Sequence, residues 1–268
     1  MEFEAFRESE RMGWNARARG YDTATAGATL QSIPMLLHMA RLRSGARLLD
    51  MGCGPGYLAG AAAALGGVCT GIDFAEDMVT EAQARFPGVT FHGGDAEALS
   101  FDDASFDIVA SNIVLFHLAN PEKAMAEAAR VLRPGGVFVF SQWLGPDQSD
   151  LYRELQSVLR EHADVTLGDA APDAYALSEP ATARAALEAA GFEAVESRVV
   201  HNILGAADED FFDFFMRFGV RVPLIVQAQA PSVQTAIREA MNERMEAYRT
   251  ARGIEVPMPS ILYSGQKP

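Results

Sequence analysis

Three glycines spaced two apart, in Leu48-Leu49-Asp50-Met51-Gly52-Cys53-Gly54-Pro55-Gly56-Tyr57, constrain the fold of this chain more than any other stretch. An apolar run ends in an acidic residue, passes through the glycines and opens an alanine-rich segment. That order predicts a strand feeding a tight turn, nearly free of side chains, at the start of a helix. A ligand can lie against bare backbone there, facing the N–H groups of the helix start. Three glycines cost more backbone entropy than a plain turn requires, which argues for a ligand.

The pattern around this turn repeats. Residues 47–52 read as a strand, 57–65 as a helix ended by Gly66-Gly67, and 68–73 as a second strand. A helix over about 75–85 follows, then Pro87-Gly88 and a strand at 89–93. Residues 106–112, rich in β-branched side chains, read as a fourth strand. Asn120 as N-cap and Pro121 at the first helical position start a helix that reaches Leu132. Pro134-Gly135-Gly136 stops it, and 137–140 form a fifth strand. Strands alternating with helices of this length imply a parallel sheet covered on both faces.

The flanks differ. Residues 1–44 read as helical, with a break near Gly20 and Gly27 and with Pro34 tolerable in a first turn; they form an N-terminal cap or lid. Beyond Trp143, residues 147–164 predict an amphipathic helix and 165–177 a loop. Ser178 is positioned to cap a helix that ends before Gly191. Residues 192–204 alternate as one long strand, 208–250 read as helices broken at Pro223 and Pro231, and 260–265 read as a closing strand beside 192–204. The expected organisation is a Rossmann-like α/β domain over 45–205 and 257–268, with seven strands, the last antiparallel. A helical insertion, 206–256, is expected over the substrate side.

Charge narrows the classes of partner. Lys plus Arg number 22 against 36 Asp plus Glu, a formal charge of −14 over 268 residues. Nucleic acid and anionic membranes both call for a basic surface, so neither is expected as a partner. The acidic Met1-Glu2-Phe3-Glu4 lacks a signal-peptide pattern, and no run reaches the roughly 18 apolar residues of a membrane span; the cytoplasm is the expected location. Two cysteines, Cys53 and Cys69, and five scattered histidines carry no metal-ligand spacing, so no metal is expected.

The glycine loop has two candidate ligands. A dinucleotide turn needs a third glycine three residues beyond the second, and here that place is Tyr57. Asp50 just ahead of the loop fits a pyrophosphate anion poorly and a cationic ligand well. On these residues the chain resembles the class I S-adenosylmethionine-dependent methyltransferases, in particular the small-molecule branch of the ubiquinone and menaquinone type. The resemblance covers about 45–145, with a weaker Trp14…Tyr21-Asp22 pattern upstream. It implies that Asp50, Gly52, Cys53, Gly54 and Gly56 surround the methionine part of the cofactor and that Tyr21 also binds the cofactor. It implies also that Asp73 accepts from the ribose hydroxyls and that Phe74 and Met78 lie beside adenine. Asp95 would accept from the adenine amino group beside the Ala96 N–H, and the Asn112 main chain would approach the methionine end. Leu132-Arg133-Pro134-Gly135-Gly136 matches the family's structural turn before strand five. S-adenosylhomocysteine would be the product of the donor.

An activated methyl group needs little more than a nucleophile held near attack; a base is needed only when the acceptor must lose a proton. His117, just after the fourth strand, is the candidate base or orienting residue, and His201, late in the long strand, a second candidate. Asp208-Glu209-Asp210 opens a helix whose Phe211, Phe214, Phe215 and Phe218 share one face. With Trp14, Phe116, Trp143 and Met216, Phe211 and Phe215 are expected to wall a pocket for an apolar or aromatic small molecule. Residues 233–249, with Met241, Met245 and Tyr248, read as further cover or as a dimer surface; monomer and homodimer both remain open. The same fold could instead use the sulfonium as a fixed charge for a cyclisation or decarboxylation. A nicotinamide-dependent dehydrogenase is disfavoured by Tyr57 and by the lack of a Tyr-x-x-x-Lys pair.

Overall fold

The alternation that starts at the glycine loop builds one sheet. The structure, a computed structural model, describes residues 3–207 and 210–268. The strands are β1 (Arg47–Met51), β2 (Val68–Asp73), β3 (Thr90–Gly93), β4 (Phe106–Asn112) and β5 (Leu132–Trp143), followed by β6 (Glu193–Val200) and β7 (Ile203–Ala206). Three more, β8 (Arg249–Thr250), β9 (Gly253–Pro257) and β10 (Ser260–Gln266), close the chain. The main sheet has the order β3-β2-β1-β4-β5-β10-β6. β1 to β5 run parallel, and β10 is antiparallel to both its neighbours.

Two layers of helices cover it. On one face pack α4 (Ile33–Met39), α5 (Tyr57–Ala64) and α6 (Glu76–Arg85), through Leu36, Leu37, Leu58, Ala62, Val79 and Ala82. On the other pack α7 (Pro121–Val131) and α9 (Pro180–Ala189), through Met125, Ala128, Ala183 and Leu187. Strands buried on both faces explain the near-continuous apolar runs of β1 and β4. Asn120 caps α7, its side-chain oxygen accepting from the Lys123 N–H at 2.8 Å. β5 is longer than the sequence indicated and runs through Pro134-Gly135-Gly136. Its pairing with β4 jumps from Phe106–Leu132 to Ile108–Val137, so the Pro-Gly-Gly stretch bulges from the strand rather than preceding it.

Four departures from the sequence reading matter. The expected long strand over 192–204 is two strands, β6 on the edge of the main sheet and β7 in a separate three-stranded sheet, β7-β9-β8. Between them Asn202, 1% exposed, donates to Ala28 O and Ser32 Oγ, and its side-chain oxygen accepts from Ser260 Oγ. This buried network turns the chain, while the alternating hydrophobicity runs straight through the bend. Consequently the insertion is not all helical; β7 and β9 share a core with α8 (Asp150–His162), α10 (Phe211–Phe218) and α12 (Pro231–Met245), while the short β8 is exposed. Ser178 does not cap α9: Glu179 holds the N-cap position ahead of Pro180, and Ser178 Oγ donates to Tyr175 O at 2.7 Å. Pro223 does not break a helix but lies in the first turn of α11 (Arg221–Gln227), the break falling at Gly219-Val220.

Before the sheet, α1 (Glu4–Arg17), α2 (Tyr21–Ala24) and α3 (Ala26–Thr29) lead through short 3-10 turns into α4. Among the described residues no helix is long and apolar enough to cross a membrane.

Candidate functional site

The C-terminal ends of β1, β2 and β4 converge on the glycine loop, the crevice where open α/β sheets take ligands. Gly52 N–H and Cys53 N–H both donate to Ile72 O, at 2.9 and 2.8 Å, which ties the loop to β2. Gly54 N–H donates to Asp73 Oδ2 at 2.8 Å, and Ala75 N–H donates to Asp73 Oδ1 at 2.9 Å. Asp73 therefore sets the loop and the start of α6 together. Gly54 has φ +49, and a Cβ built there meets nothing within 4 Å, so its bare backbone fronts an open cleft.

Gly56 has a different task. At φ +84 it forms the N-cap of α5, and a Cβ there would lie 2.7 Å from Phe91 Cζ and 3.0 Å from Ala82 Cβ. It does not line the cleft, contrary to the sequence expectation; it lets the loop close onto the core. Gly56→Ala should therefore destabilise the fold by about 2–4 kcal/mol, combining a left-handed backbone with overpacking. A thermal melt of the unliganded protein checks this, with a drop in Tm of about 5–10 °C expected for a chain of this size.

Two buried carboxylates face the cleft. Asp50, 1% exposed, accepts from the Ala59 N–H in the first turn of α5 at 2.9 Å, and burial pushes its carboxyl up to about 7. Burial likewise lifts Asp73 to about 6, the two backbone donors and nearby His117 opposing the rise. Among the described residues no Lys or Arg pairs with either acid, a setting that a cationic ligand relieves. Tyr21, Cys53, Phe74, Met78, Ala96 and Asn112 line the same cleft. Phe74 and Met78 form a small apolar cluster with Trp14, Ala18 and Tyr21. Asn112 Nδ2 donates to Thr29 O, and its side-chain oxygen accepts from Ser141 Oγ, so the side chain is already engaged by the protein. At the far end Asp95 accepts from Glu97 N–H and forms an ion pair with Arg7 of α1 at 2.7 Å.

A second cavity, about 530 Å³, lies behind the first. Trp14, Phe116, Trp143, Leu155, Phe215 and Phe218 make its wall mainly apolar, with Tyr152 and Tyr175 at one side. Trp14, Tyr21, Thr29, Ile113 and His117 line both spaces, so the cleft and the cavity meet at these five residues.

The structure brings most of the sequence-predicted residues together; besides Gly56, two more fall away. His201 is exposed in the turn between β6 and β7 and lines neither space. Phe211 is 3% exposed and packs with Phe214 in the core beneath the insertion, leaving Phe215 and Phe218 for the cavity. Asp210 caps α10 by accepting from the Asp213 N–H, while Asp208 and Glu209 lie outside the described residues. Met241 and Met245 are buried in the same core, which removes them from any dimer surface.

The sequence reading missed Glu10. It is 1% exposed on α1, and its Oε2 lies 2.8 Å from His117 Nδ1 and accepts from Trp14 Nε1 at 3.1 Å. A signal existed: Phe6, Glu10 and Gly13 share the buried stripe of α1, and a carboxylate on such a stripe is out of place unless it is paired. Arg7 and Gln142 were missed as well.

The chain is also similar to known proteins. Residues 49–140 match the family described as "Methyltransferase domain". The chain is 33% identical over 170 residues to a demethylmenaquinone methyltransferase of Clavibacter sepedonicus, covering 58% of this chain and 69% of that protein. It is 39% identical over 106 residues to a malonyl-[acyl-carrier protein] O-methyltransferase of Erwinia billingiae, covering 40% and 42%. Among such relatives the matched part spans from 38% to 69% of the relative's length. In fold, the chain superposes with TM-score 0.62 on the methyltransferase component of a Haloferax volcanii complex with the activator Trm112, at 23% identity, covering 97% of this chain and 96% of that one. The chain belongs to the class I S-adenosylmethionine-dependent methyltransferases, whose cofactor is S-adenosylmethionine.

Proposed function

We propose that this protein transfers a methyl group from S-adenosylmethionine to a small apolar or aromatic molecule. The observation that carries the reading is the meeting of a cation-suited cleft and a separate apolar cavity at Trp14, Tyr21, Thr29, Ile113 and His117. The residues present suit the cofactor. The bare Gly54 backbone leaves room a side chain would fill, and Asp50 and Asp73 are buried acids with no Lys or Arg paired to them among the described residues. Bound there, the cofactor supplies a methyl group already activated by a sulfonium.

The residues divide the work. Asp50 and the loop from Gly52 to Gly54 hold the methionine part, Asp73 the ribose hydroxyls, and Phe74 and Met78 the face of adenine. Asp95 and the Ala96 N–H take the adenine edge; because Arg7 already pairs with Asp95, Arg7 competes with the adenine amino group for that carboxylate. Residues 1–44 act as a lid shared by both spaces, 45–205 with 257–268 as the cofactor domain, and 206–256 as the cover of the acceptor cavity. Phe215 and Phe218 exclude water from the meeting point, which favours displacement at the methyl carbon by positioning alone.

The test is calorimetric titration of the full chain with S-adenosylmethionine and, separately, with NAD. Saturable binding of the first and none of the second is expected. Binding of NAD alone, or of neither, overturns the reading.

A further inference from the structure

The contact between Glu10 and His117 lies where the cleft and the cavity meet, and the methyl transfer proposed above does not by itself require it. His117 Nδ1 lies 2.8 Å from Glu10 Oε2, and Trp14 Nε1–H donates to the same oxygen. An imidazole whose Nδ1 carries the proton has its lone pair on Nε2. The ring is held on two sides, by Phe116 with centroids 3.9 Å apart and by Trp14 edge-on at 5.1 Å. Glu10 itself contributes nothing to the fold that an apolar residue on that stripe of α1 would not supply with less desolvation. A further observation points to a polar ligand in the cavity. Gln142 is 1% exposed and lines the cavity; its Nε2 donates to Ala174 O at 2.8 Å, while its Oε1 is buried without a partner. A buried amide oxygen of this kind calls for a donor on the ligand.

We propose that the acceptor is a hydroxylated aromatic molecule methylated on oxygen, with His117 Nε2 as the base and Glu10 as the positioning residue that fixes its tautomer and stabilises the imidazolium. In the step, the hydroxyl proton passes to Nε2 while the acceptor oxygen forms its bond to the methyl carbon. The carbon–sulfur bond breaks with its electron pair left on sulfur, giving a methyl ether and S-adenosylhomocysteine. The imidazolium then returns its proton to water. Trp143, Phe215 and Phe218 offer the ring its apolar wall. The inference rests on the methyltransferase reading above, and the experiment separates the two.

The full chain is assayed at pH 8 with saturating S-adenosylmethionine and two probes, 2-naphthol and 2-naphthalenethiol. The thiol is largely ionised at that pH and needs no base; the naphthol does. The wild type is expected to methylate both, read by product mass. Glu10→Gln and His117→Gln should each lower the ratio of kcat for the naphthol to kcat for the thiol by about 10²-fold. Should one variant not fold, the other carries the same comparison. A parallel fall for both probes, or no fall for the naphthol, overturns the role of the pair. Methylation of the thiol alone, or of neither probe while S-adenosylmethionine binds, overturns the hydroxyl class and leaves the cofactor assignment standing. Loss of S-adenosylmethionine binding in the wild type removes the underlying reading instead.

Discussion

Asp73→Ala is expected to weaken S-adenosylmethionine binding by about 10²- to 10³-fold while the sheet remains folded. Hydrogen bonds to a charged group contribute about 1.5–3 kcal/mol each, and a ribose diol offers this carboxylate two. The substitution has a second effect: Asp73 also accepts from Gly54 and Ala75 N–H, so its loss leaves the loop without one of its anchors. Asp73→Asn separates the contributions. Its side-chain oxygen can still accept one backbone N–H, so the loop is partly held while the charge is gone. Calorimetry on both variants, with circular dichroism to establish folding, gives the answer; an affinity equal to wild type would overturn the ribose assignment.

Cofactor affinity should also depend on pH in a direction set by burial. Asp50 and Asp73 are pushed up to about 7 and about 6, above the ordinary carboxylate value of 3.8, because both are desolvated. In the empty protein the folded state holds protons that the unfolded chain has released. These two groups therefore favour folding most below about pH 4, and that contribution is lost as pH rises through about 6 to 7. A cationic ligand prefers the ionised acids and releases those protons on binding. Affinity for S-adenosylmethionine should rise about tenfold or more from pH 6 to pH 8, and the ligand-induced gain in Tm should grow over the same interval. Calorimetry in buffers of different ionisation heat checks the proton release. A flat profile between pH 6 and 8 would mean that neither carboxylate meets the positive end of the ligand.

The sheet was legible because its strands announce themselves twice, as apolar runs and through the turns that end them. Asp50, Asp73 and Asp95 could be placed at strand ends from the sequence because the fold leaves those positions little freedom. The insertion was less legible. β7 and β9 pair across about fifty residues of chain, and the Asn202 turn does not interrupt the alternation of β6 into β7. Glu10 was hidden for a related reason: its partner His117 follows the fourth strand, and nothing local in α1 indicates an imidazole above it. His201 drew attention as a titratable group at the end of an alternating run, yet the bend at Asn202 turns it to solvent.

α1 ties together parts of the chain made at very different times. Arg7 reaches Asp95, 88 residues on; Glu10 reaches His117; and Arg17 donates to Met216 O, 199 residues on. During synthesis this helix leaves the ribosome well before α10 and finds that partner only when α10 has been made. Long-range contacts of this kind form late, after the loops that separate them have been closed. α1 is thus placed late, and both the cleft and the cavity, which it lines, are completed only once those partners have folded.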